Sequence, residues 1–303
     1  MEPGFRHEAL IYGDVDEFLA AATSFLREGF EAGEPALVAV SPANAKLLAS
    51  SLGADAADVR FADVETIGNP AQAMSFWRDF VDEHEGRRVR GISEPILPGR
   101  GPDEIEECRR QESLFNFAFG GSSEWSLLCA YDAGVLDEDV LTASGHSHAT
   151  VERHGVREPS RSYEADVDCF AGGLSQRPPG TAGFEFDRAD LAEVRRRVVE
   201  SAEAAGLSGS RMTDLILAAS ELAANSVAHG GGGGTLRLWT EDSRLLVEFH
   251  DGGRIEDPLV GRVRPSITQE GGRGLWLANQ LCDLVQIRSG EDGTTVRLHA
   301  VRG

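Results

Sequence analysis

The stretch Glu221-Leu-Ala-Ala-Asn225-Ser-Val-Ala-His229 carries polar side chains at intervals of four residues. Residues four apart lie one above the other on an α-helix, so Glu221, Asn225 and His229 share one face. This face presents a carboxylate and a carboxamide oxygen about one turn apart. A carboxylate can accept a proton, and a carboxamide oxygen is a hard ligand suited to Mg²⁺. Taken alone, the triplet also fits an ordinary solvated helix face.

Two glycine segments follow this helix, Asp251-Gly-Gly253 and Gly271-Gly-Arg-Gly274. Asp251 comes after an alternating strand, so its carboxylate is expected at a strand end, where it can accept hydrogen bonds. The second segment precedes an apolar helix, and glycines at a helix start expose backbone N–H groups that can bind phosphate. Arg273 within it can pair with phosphate oxygens. A turn-stabilising Asp and a flexible loop are the alternatives.

The pattern around these segments predicts an α+β unit. Helical spacing of apolar residues predicts helices near 188–205 and 210–229, and Gly230 is expected to cap the second helix in a left-handed conformation. Apolar and polar residues then alternate along the strands, which is typical of a largely antiparallel sheet with one face buried and one wet. The alternating positions are Leu236/Leu238, Leu245/Val247/Phe249 and Val296/Leu298.

Residues 184–303 resemble the ATP-binding domain shared by histidine kinases, Hsp90-type chaperones and gyrase-type ATPases. Within that superfamily they are most similar to the bacterial anti-sigma-factor serine kinases. The resemblance rests on four segments in the same order, which are Glu221/Asn225/His229, Asp251/Gly253, Gly271–Leu275 and Gly293–Val296. It implies a Bergerat-type ATP-binding fold, an α+β sandwich with a mostly antiparallel sheet, with ATP and Mg²⁺ as cofactors.

The resemblance also implies residue roles. Asn225 would coordinate Mg²⁺, and Glu221 would be the catalytic base or positioner for an attacking serine hydroxyl. Asp251 would accept a hydrogen bond from the adenine amino group, and Thr294, rather than Thr295, would lie near the adenine. His229 has the alternative of a helix-end residue interacting with the helix dipole. The residues assigned to nucleotide binding are Asn225, Asp251, Gly253, Gly271, Gly272, Arg273, Gly274, Leu275 and Thr294.

The function implied by the resemblance is an anti-sigma regulator. Such a protein binds a sigma factor and phosphorylates a serine of an anti-anti-sigma antagonist, and a homodimer through the ATP domain is plausible. An ATP-dependent binding switch without kinase activity is an alternative. A sensor histidine kinase is another, but it needs a phosphoacceptor His in a helical hairpin, and the upstream helix near 188–205 contains no His. The sequence has neither a GxxxxGK[ST] loop nor a GxGxxG segment after a strand.

The first half of the chain alternates strand-like and helix-like segments. The continuous apolar run Ala36–Val40 is typical of a strand covered on both faces, and Trp125–Tyr131 has the same character. This alternation predicts an α/β domain with a mostly parallel sheet over residues 5–152. Residues 153–183 lose periodicity and gather Pro, Gly, Ser and Arg, which indicates a linker before the domain at 184–303.

Residues 5–152 resemble the MEDS sensory domain, a ligand-sensing module related to RecA-like α/β folds. The resemblance implies a small ligand of unidentified chemistry. Ala149 stands where the family usually has proline after a histidine. The residues that carry the resemblance are His7, Tyr12, Gly33-Glu-Pro35, Glu112, Asn116, Leu128–Asp132 and His146 or His148.

Four side chains of this domain, His7, Cys129, His146 and His148, are of types that bind metal or haem. No metal-ligand spacing links them. The sequence therefore favours the interpretation that they are scattered core and surface residues.

The charge and the cysteine content indicate which partners and which cellular compartment to expect. The net charge is −21, of which −4 belongs to residues 184–303 and −17 to residues 1–183. Such an acidic surface repels nucleic acid and anionic membranes, so we expect neither as a direct partner; solubility or a basic protein partner explains it. The four cysteines form no CxxC pair, and neither a signal peptide nor a long apolar run is present. These features predict a cytoplasmic protein with free thiols.

Overall fold

The structure is a computed structural model that describes residues 4–120, 124–164, 170–265 and 272–302. The chain divides into two compact units, Met1–Val167 and Asp168–Gly303. Within the described ranges, none of the helices has the length and apolar character needed to cross a bilayer.

The first unit alternates strands and helices, as the sequence predicts. Its strands are β1 Arg6–Tyr12, β2 Ala36–Val40, β3 Val59–Asp63, β4 Val89–Ser93, β5 Trp125–Asp132, β6 Thr150–Arg153 and β7 Val156–Pro159. Its α-helices are α1 Val15–Glu31, α2 Pro42–Leu52, α3 Gln72–Glu83, α4 Pro102–Phe119 and α5 Glu138–Ser147.

These seven strands form one sheet in the order β3-β2-β4-β5-β1-β6-β7. Every neighbouring pair is parallel except the β6–β7 hairpin. All five residues of β2 are buried, as expected for a central strand covered by helices on both faces. The prediction of an α/β unit with a mostly parallel sheet is confirmed.

Residues 153–183, predicted as a linker, are not uniform in structure. β7 lies within this span and pairs with β6, which extends the parallel sheet beyond β1. The helix α5 was not predicted, because its ten residues carry only a weak amphipathic pattern with Ser and Gly near the end.

The second unit is an antiparallel sheet with helices packed on one face, which confirms the predicted α+β class. The strand order is β11-β12-β10-β9-β8. Its elements are β8 Gly183–Asp187, α6 Leu191–Ala204, α7 Gly209–His229, β9 Gly233–Glu241, β10 Arg244–Asp251, α8 Arg273–Leu281, β11 Leu284–Gly290 and β12 Gly293–Val301.

The core of this unit lies between the helices and one face of the sheet. Leu245, Val247 and Phe249 alternate along β10 and pack against helix residues that include Leu222 and Ala278. Because side chains of a strand alternate between faces, the remaining positions of β10 belong to the opposite face.

That opposite face is not wet, which corrects the prediction from alternation. Glu248 and Arg297 are buried there and form an ion pair. The segment 172–181 runs along this face, where Arg297 donates to the carbonyl oxygen of Ser175 and Arg177 donates to Glu248. Charged residues such as Glu248 and Arg297 can be buried on this face because they form ion pairs. The alternation of apolar and polar residues in the sequence does not reveal such pairing.

Candidate functional site

The helix α7 places the polar triplet as predicted. Glu221 and Asn225 are half-buried and His229 is exposed, while Leu222 and Ser226 on the next face are buried. Gly230 ends the helix with φ −92°, so the predicted left-handed cap is wrong. A Cβ at Gly230 would lie 2.4 Å from Asp251 Cγ, so glycine is required by the close approach of β10 rather than by φ.

Asp251 is the last residue of β10, as predicted, and both of its carboxylate oxygens are engaged. Ser226 Oγ donates to Oδ2 at 2.6 Å, and the backbone N–H of Gly253 donates to Oδ1 at 2.9 Å. A Cβ at Gly253 would lie 2.7 Å from the carbonyl oxygen of His229. The end of α7, the end of β10 and the glycine turn are therefore packed in direct contact.

Thr294 lies at the start of β12, opposite Asp251 in the antiparallel register. Its Oγ1 lies 2.9 Å from the carbonyl oxygen of Gly253, to which it donates, and 2.8 Å from Ser289 Oγ. Ser289 Oγ accepts from the N–H of Ile255. Thr295 points to the other face, where it bonds His250. The turn after β10 is thus fastened to β11 and β12 through Thr294.

The second glycine segment leads into α8. Gly271 lies outside the described residues, and Gly272 precedes the helix with φ 78°, a left-handed value that favours glycine. Arg273 is exposed in the first turn. A Cβ at Gly274 would lie 2.8 Å from Asn225 Nδ2 and 3.3 Å from Glu221 Oε2. The start of α8 therefore lies directly against the Glu221–Asn225 face of α7.

A cavity of about 310 Å³ opens between α7, the turn after β10 and the start of α8. Its walls are largely apolar, with a few carboxylate, amide and hydroxyl groups, which is the usual composition of a small-ligand site. Among the described residues that line it, the predicted ones are Asn225, Asp251, Gly253, Gly272, Leu275 and Thr294. The other described candidates, Glu221, Arg273 and Gly274, are not in that lining.

Comparison with known families matches each unit separately. Residues 6–149 match the MEDS family, the methanogen/methylotroph, DcmR sensory domain. Residues 184–300 match the histidine kinase-like ATPase domain family. The chain joins a MEDS domain to a histidine kinase-like ATPase domain. Both predicted resemblances to these families are confirmed.

The wider comparisons add little to this assignment. The RsbU and RsbW domains of Rv1364c from Mycobacterium tuberculosis are 22% identical over 41% of this chain and 33% of that chain, with a TM-score of 0.31. This chain thus spans about a third of that one. A search of curated proteins finds no significant match.

Several residues of the ATPase domain cavity were not predicted. Ser226 directly follows Asn225, and the rotation of about 100° per helical residue turns it from the polar face toward Asp251. Its position after an Asn could have suggested this contact. Ile255 and Val260 supply apolar wall, but they come from an irregular segment that has no periodicity to interpret.

In the MEDS domain the structure gathers side chains that the sequence suggested were scattered. His7, Cys129 and His148 lie together with Glu112, and all four are buried. His146, the fourth residue considered, is exposed and lies apart from the cluster, bonded to the carbonyl oxygen of Ala143. Desolvation and the neighbouring His148 lower the pKa of His7 to about 4. Burial raises the pKa of the Cys129 thiol well above its ordinary value.

Proposed function

We propose that the ATPase domain binds Mg²⁺-ATP in the cavity between α7 and α8. The observation that carries the proposal is that Asn225, Asp251, Gly272 and Thr294, which come from four separate sequence segments, line this one cavity. Asn225 supplies an oxygen ligand for Mg²⁺. Asp251 accepts from the adenine amino group, and the N-terminus of α8 after Gly272 receives phosphate oxygens.

The proposed reaction is transfer of the γ-phosphoryl group to a serine. Glu221, one turn before Asn225, takes the proton from the serine hydroxyl as its oxygen attacks the γ-phosphorus, and ADP leaves. Contact of Gly274 with both side chains supports this role, since it places the start of α8 beside them.

The proposed partners follow from the resemblance of residues 184–303 to anti-sigma-factor serine kinases. The serine belongs to an anti-anti-sigma antagonist, the ATPase domain binds a sigma factor, and two copies of the chain pair through this domain. The MEDS domain senses a small ligand and controls the activity of the ATPase domain. The protein acts in the cytoplasm.

An ATP-dependent binding switch without transfer is the second candidate. Its supporting observation is that Glu221 is not among the described residues that line the cavity. A histidine kinase has no comparable support, because α6, the helix that precedes α7, contains no histidine.

Two variants of α7 test the proposal and separate the candidates. Asn225→Ala is expected to abolish Mg²⁺-ATP binding in calorimetry, whereas Glu221→Ala is expected to retain binding and to lose transfer of labelled phosphate to a candidate antagonist. Glu203→Ala, an exposed carboxylate on α6, is the control and should change neither. Transfer at the normal rate by Glu221→Ala would refute its catalytic role. ATP binding without phosphoserine in the unmodified protein would support the binding switch.

A further inference from the structure

The buried cluster of the MEDS domain draws its four side chains from four elements. His7 is on β1, Cys129 on β5 and Glu112 on α4, and His148 directly follows α5. One ligand atom of each lies within 4.8 Å of the others. His7 Nε2 is 3.3 Å from Cys129 Sγ and 3.5 Å from Glu112 Oε2, and His148 Nε2 is 3.2 Å from the same carboxylate oxygen.

The orientation of His148 is fixed by its other ring nitrogen. Nδ1 lies 2.7 Å from the carbonyl oxygen of Ser144, which only accepts, so Nδ1 carries a hydrogen. In the neutral ring Nε2 is then a bare lone pair. This nitrogen is fully buried, faces Glu112 and has no aligned hydrogen-bond partner among the described residues.

The orientation of His7 follows from a chain of two hydrogen bonds. Asn116 Nδ2 donates to the carbonyl oxygen of Ser147 at 2.6 Å, which turns its Oδ1 toward His7. His7 Nδ1 lies 3.1 Å from that Oδ1 and therefore donates to it. With the hydrogen on Nδ1, Nε2 of the neutral ring is a lone pair, and it is directed at Cys129 Sγ and Glu112 Oε2.

We propose that His7, Glu112, Cys129 and His148 form a binding site for a zinc-class divalent ion in the MEDS domain. A tetrahedron with bonds of about 2.0–2.3 Å has edges of about 3.3–3.8 Å, and the three separations above are close to that range. Two nitrogens, one sulfur and one oxygen suit zinc and disfavour Mg²⁺ and Ca²⁺, which prefer oxygen alone.

The surroundings of the cluster have the features of a metal site. Each histidine is held through Nδ1 by an oxygen, as is usual for metal-ligating imidazoles. Tyr131 donates to Glu112 Oε2 and orients the carboxylate. Four protein donors fill a tetrahedral shell, so the ion ties β1, β5, α4 and the end of α5 together and leaves no position for a catalytic water.

The charges balance on binding. The ion brings two positive charges, and the Glu112 carboxylate and the Cys129 thiolate supply two negative ones. The thiol proton leaves to solvent. The occupied site is thus neutral, which a fully buried position requires.

The test uses the full chain after chelator treatment, titrated with Zn²⁺ and with Co²⁺ as a spectroscopic probe. One Co²⁺ per chain is expected, with the d–d bands of tetrahedral cobalt and a thiolate charge-transfer band. Cys129→Ser should lose the charge-transfer band and bind at least tenfold more weakly, and Cys108→Ser, another buried thiol of the same unit, should keep both. Asn116→Ala should keep the bands and weaken binding about 10–100-fold.

Circular dichroism verifies that each variant is folded. If Cys129→Ser does not fold, Asn116→Ala and the rise in melting temperature of the unmodified chain on adding Zn²⁺ decide the matter. A thiolate band that persists in folded Cys129→Ser would overturn the site. So would substoichiometric binding with no thermal shift, which would mean that the cluster holds only a proton.

Discussion

Glu248 in the ATPase domain and Glu112 in the MEDS domain are both carboxylates of almost complete burial, with 2% and 3% exposure. Their partners differ. Arg297 donates to Glu248 through Nε and Nη2, and Arg177 donates to its other oxygen. Glu112 accepts a hydrogen bond from the hydroxyl of Tyr131, and its other neighbours are two imidazole nitrogens and a thiol.

Glu248 and Glu112 therefore differ in whether a permanent positive charge neutralises the buried carboxylate. Arginine is always protonated, so the Glu248 group carries its own countercharge and needs no ligand. The Glu112 cluster consists of a carboxylate, two imidazoles and a thiol, none of which carries a permanent positive charge. A buried carboxylate in such a cluster is costly unless a cation or proton neutralises it. We therefore interpret the first group as part of the fold and the second as a place for an ion.

The largest effect is expected for Arg297→Met. This change removes both hydrogen bonds to Glu248 Oε2 and leaves the buried carboxylate with Arg177 and Arg237 near its other oxygen, at 2.9 and 3.7 Å. It should cost about 3–5 kcal/mol in the free energy of unfolding. Urea unfolding of the ATPase domain measures it. Arg196→Met, which breaks exposed ion pairs on α6, is the control and should leave the free energy of unfolding nearly unchanged. Equal losses in the two variants would show that Glu248 does not depend on Arg297.

The two regions also differ in how far sequence could predict them. The cavity of the ATPase domain lies between a helix face and turns at strand ends, where the spacing of four residues and the positions of glycines determine the geometry. Asn225, Asp251, Gly272 and Thr294 could therefore be placed in advance. The mostly parallel pairing of the first sheet, though not the order of its strands, also followed from strand–helix alternation.

The MEDS cluster could not be predicted in this way. Its members, at positions 7, 112, 129 and 148, come together only because β1 pairs with β5, α5 packs against β1, and side chains of α4 contact both strands. No local period encodes such a contact. The same reason explains the buried polar face of the second sheet, where alternation correctly placed Glu248 and Arg297 opposite the core but did not reveal the segment that covers them.

A third carboxylate, Asp251, lies between the two extremes, since it borders the open cavity and is held by Ser226. Ser226→Ala removes a hydrogen bond to an ionised group and should cost about 2 kcal/mol in the free energy of unfolding. ATP affinity should fall about tenfold, because the carboxylate is no longer oriented.

The matched control for this prediction is Ser220→Ala in the same helix. Ser220 bonds the carbonyl oxygen of Ile216, and loss of such a bond is nearly neutral. Urea unfolding measures the stability of both variants, and calorimetry measures their affinity for ATP. If the two serines prove equivalent, Asp251 is held without Ser226 and the hydroxyl has no part in the site.

The smallest effect is expected for Glu112→Gln, and its sign is the informative part. The amide has the size of the carboxylate and removes a buried charge that has no fixed countercharge. His148 Nε2 and the Tyr131 hydroxyl both contact Oε2, so an NH2 group placed there donates to His148 and gives up the hydrogen bond from Tyr131. Metal-free Glu112→Gln should therefore be more stable than the unmodified chain by about 1 kcal/mol, since a neutral replacement of a buried charge is often stabilising. Adding Zn²⁺ should reverse the order, because the unmodified chain binds the ion more tightly and gains more stability from it. Thermal melts of the two proteins with and without Zn²⁺ give all four values. A loss of about 3–5 kcal/mol in the metal-free variant would instead mean that a positive charge within the metal-free cluster already neutralises Glu112, and the cluster would then resemble the Glu248 group rather than differ from it.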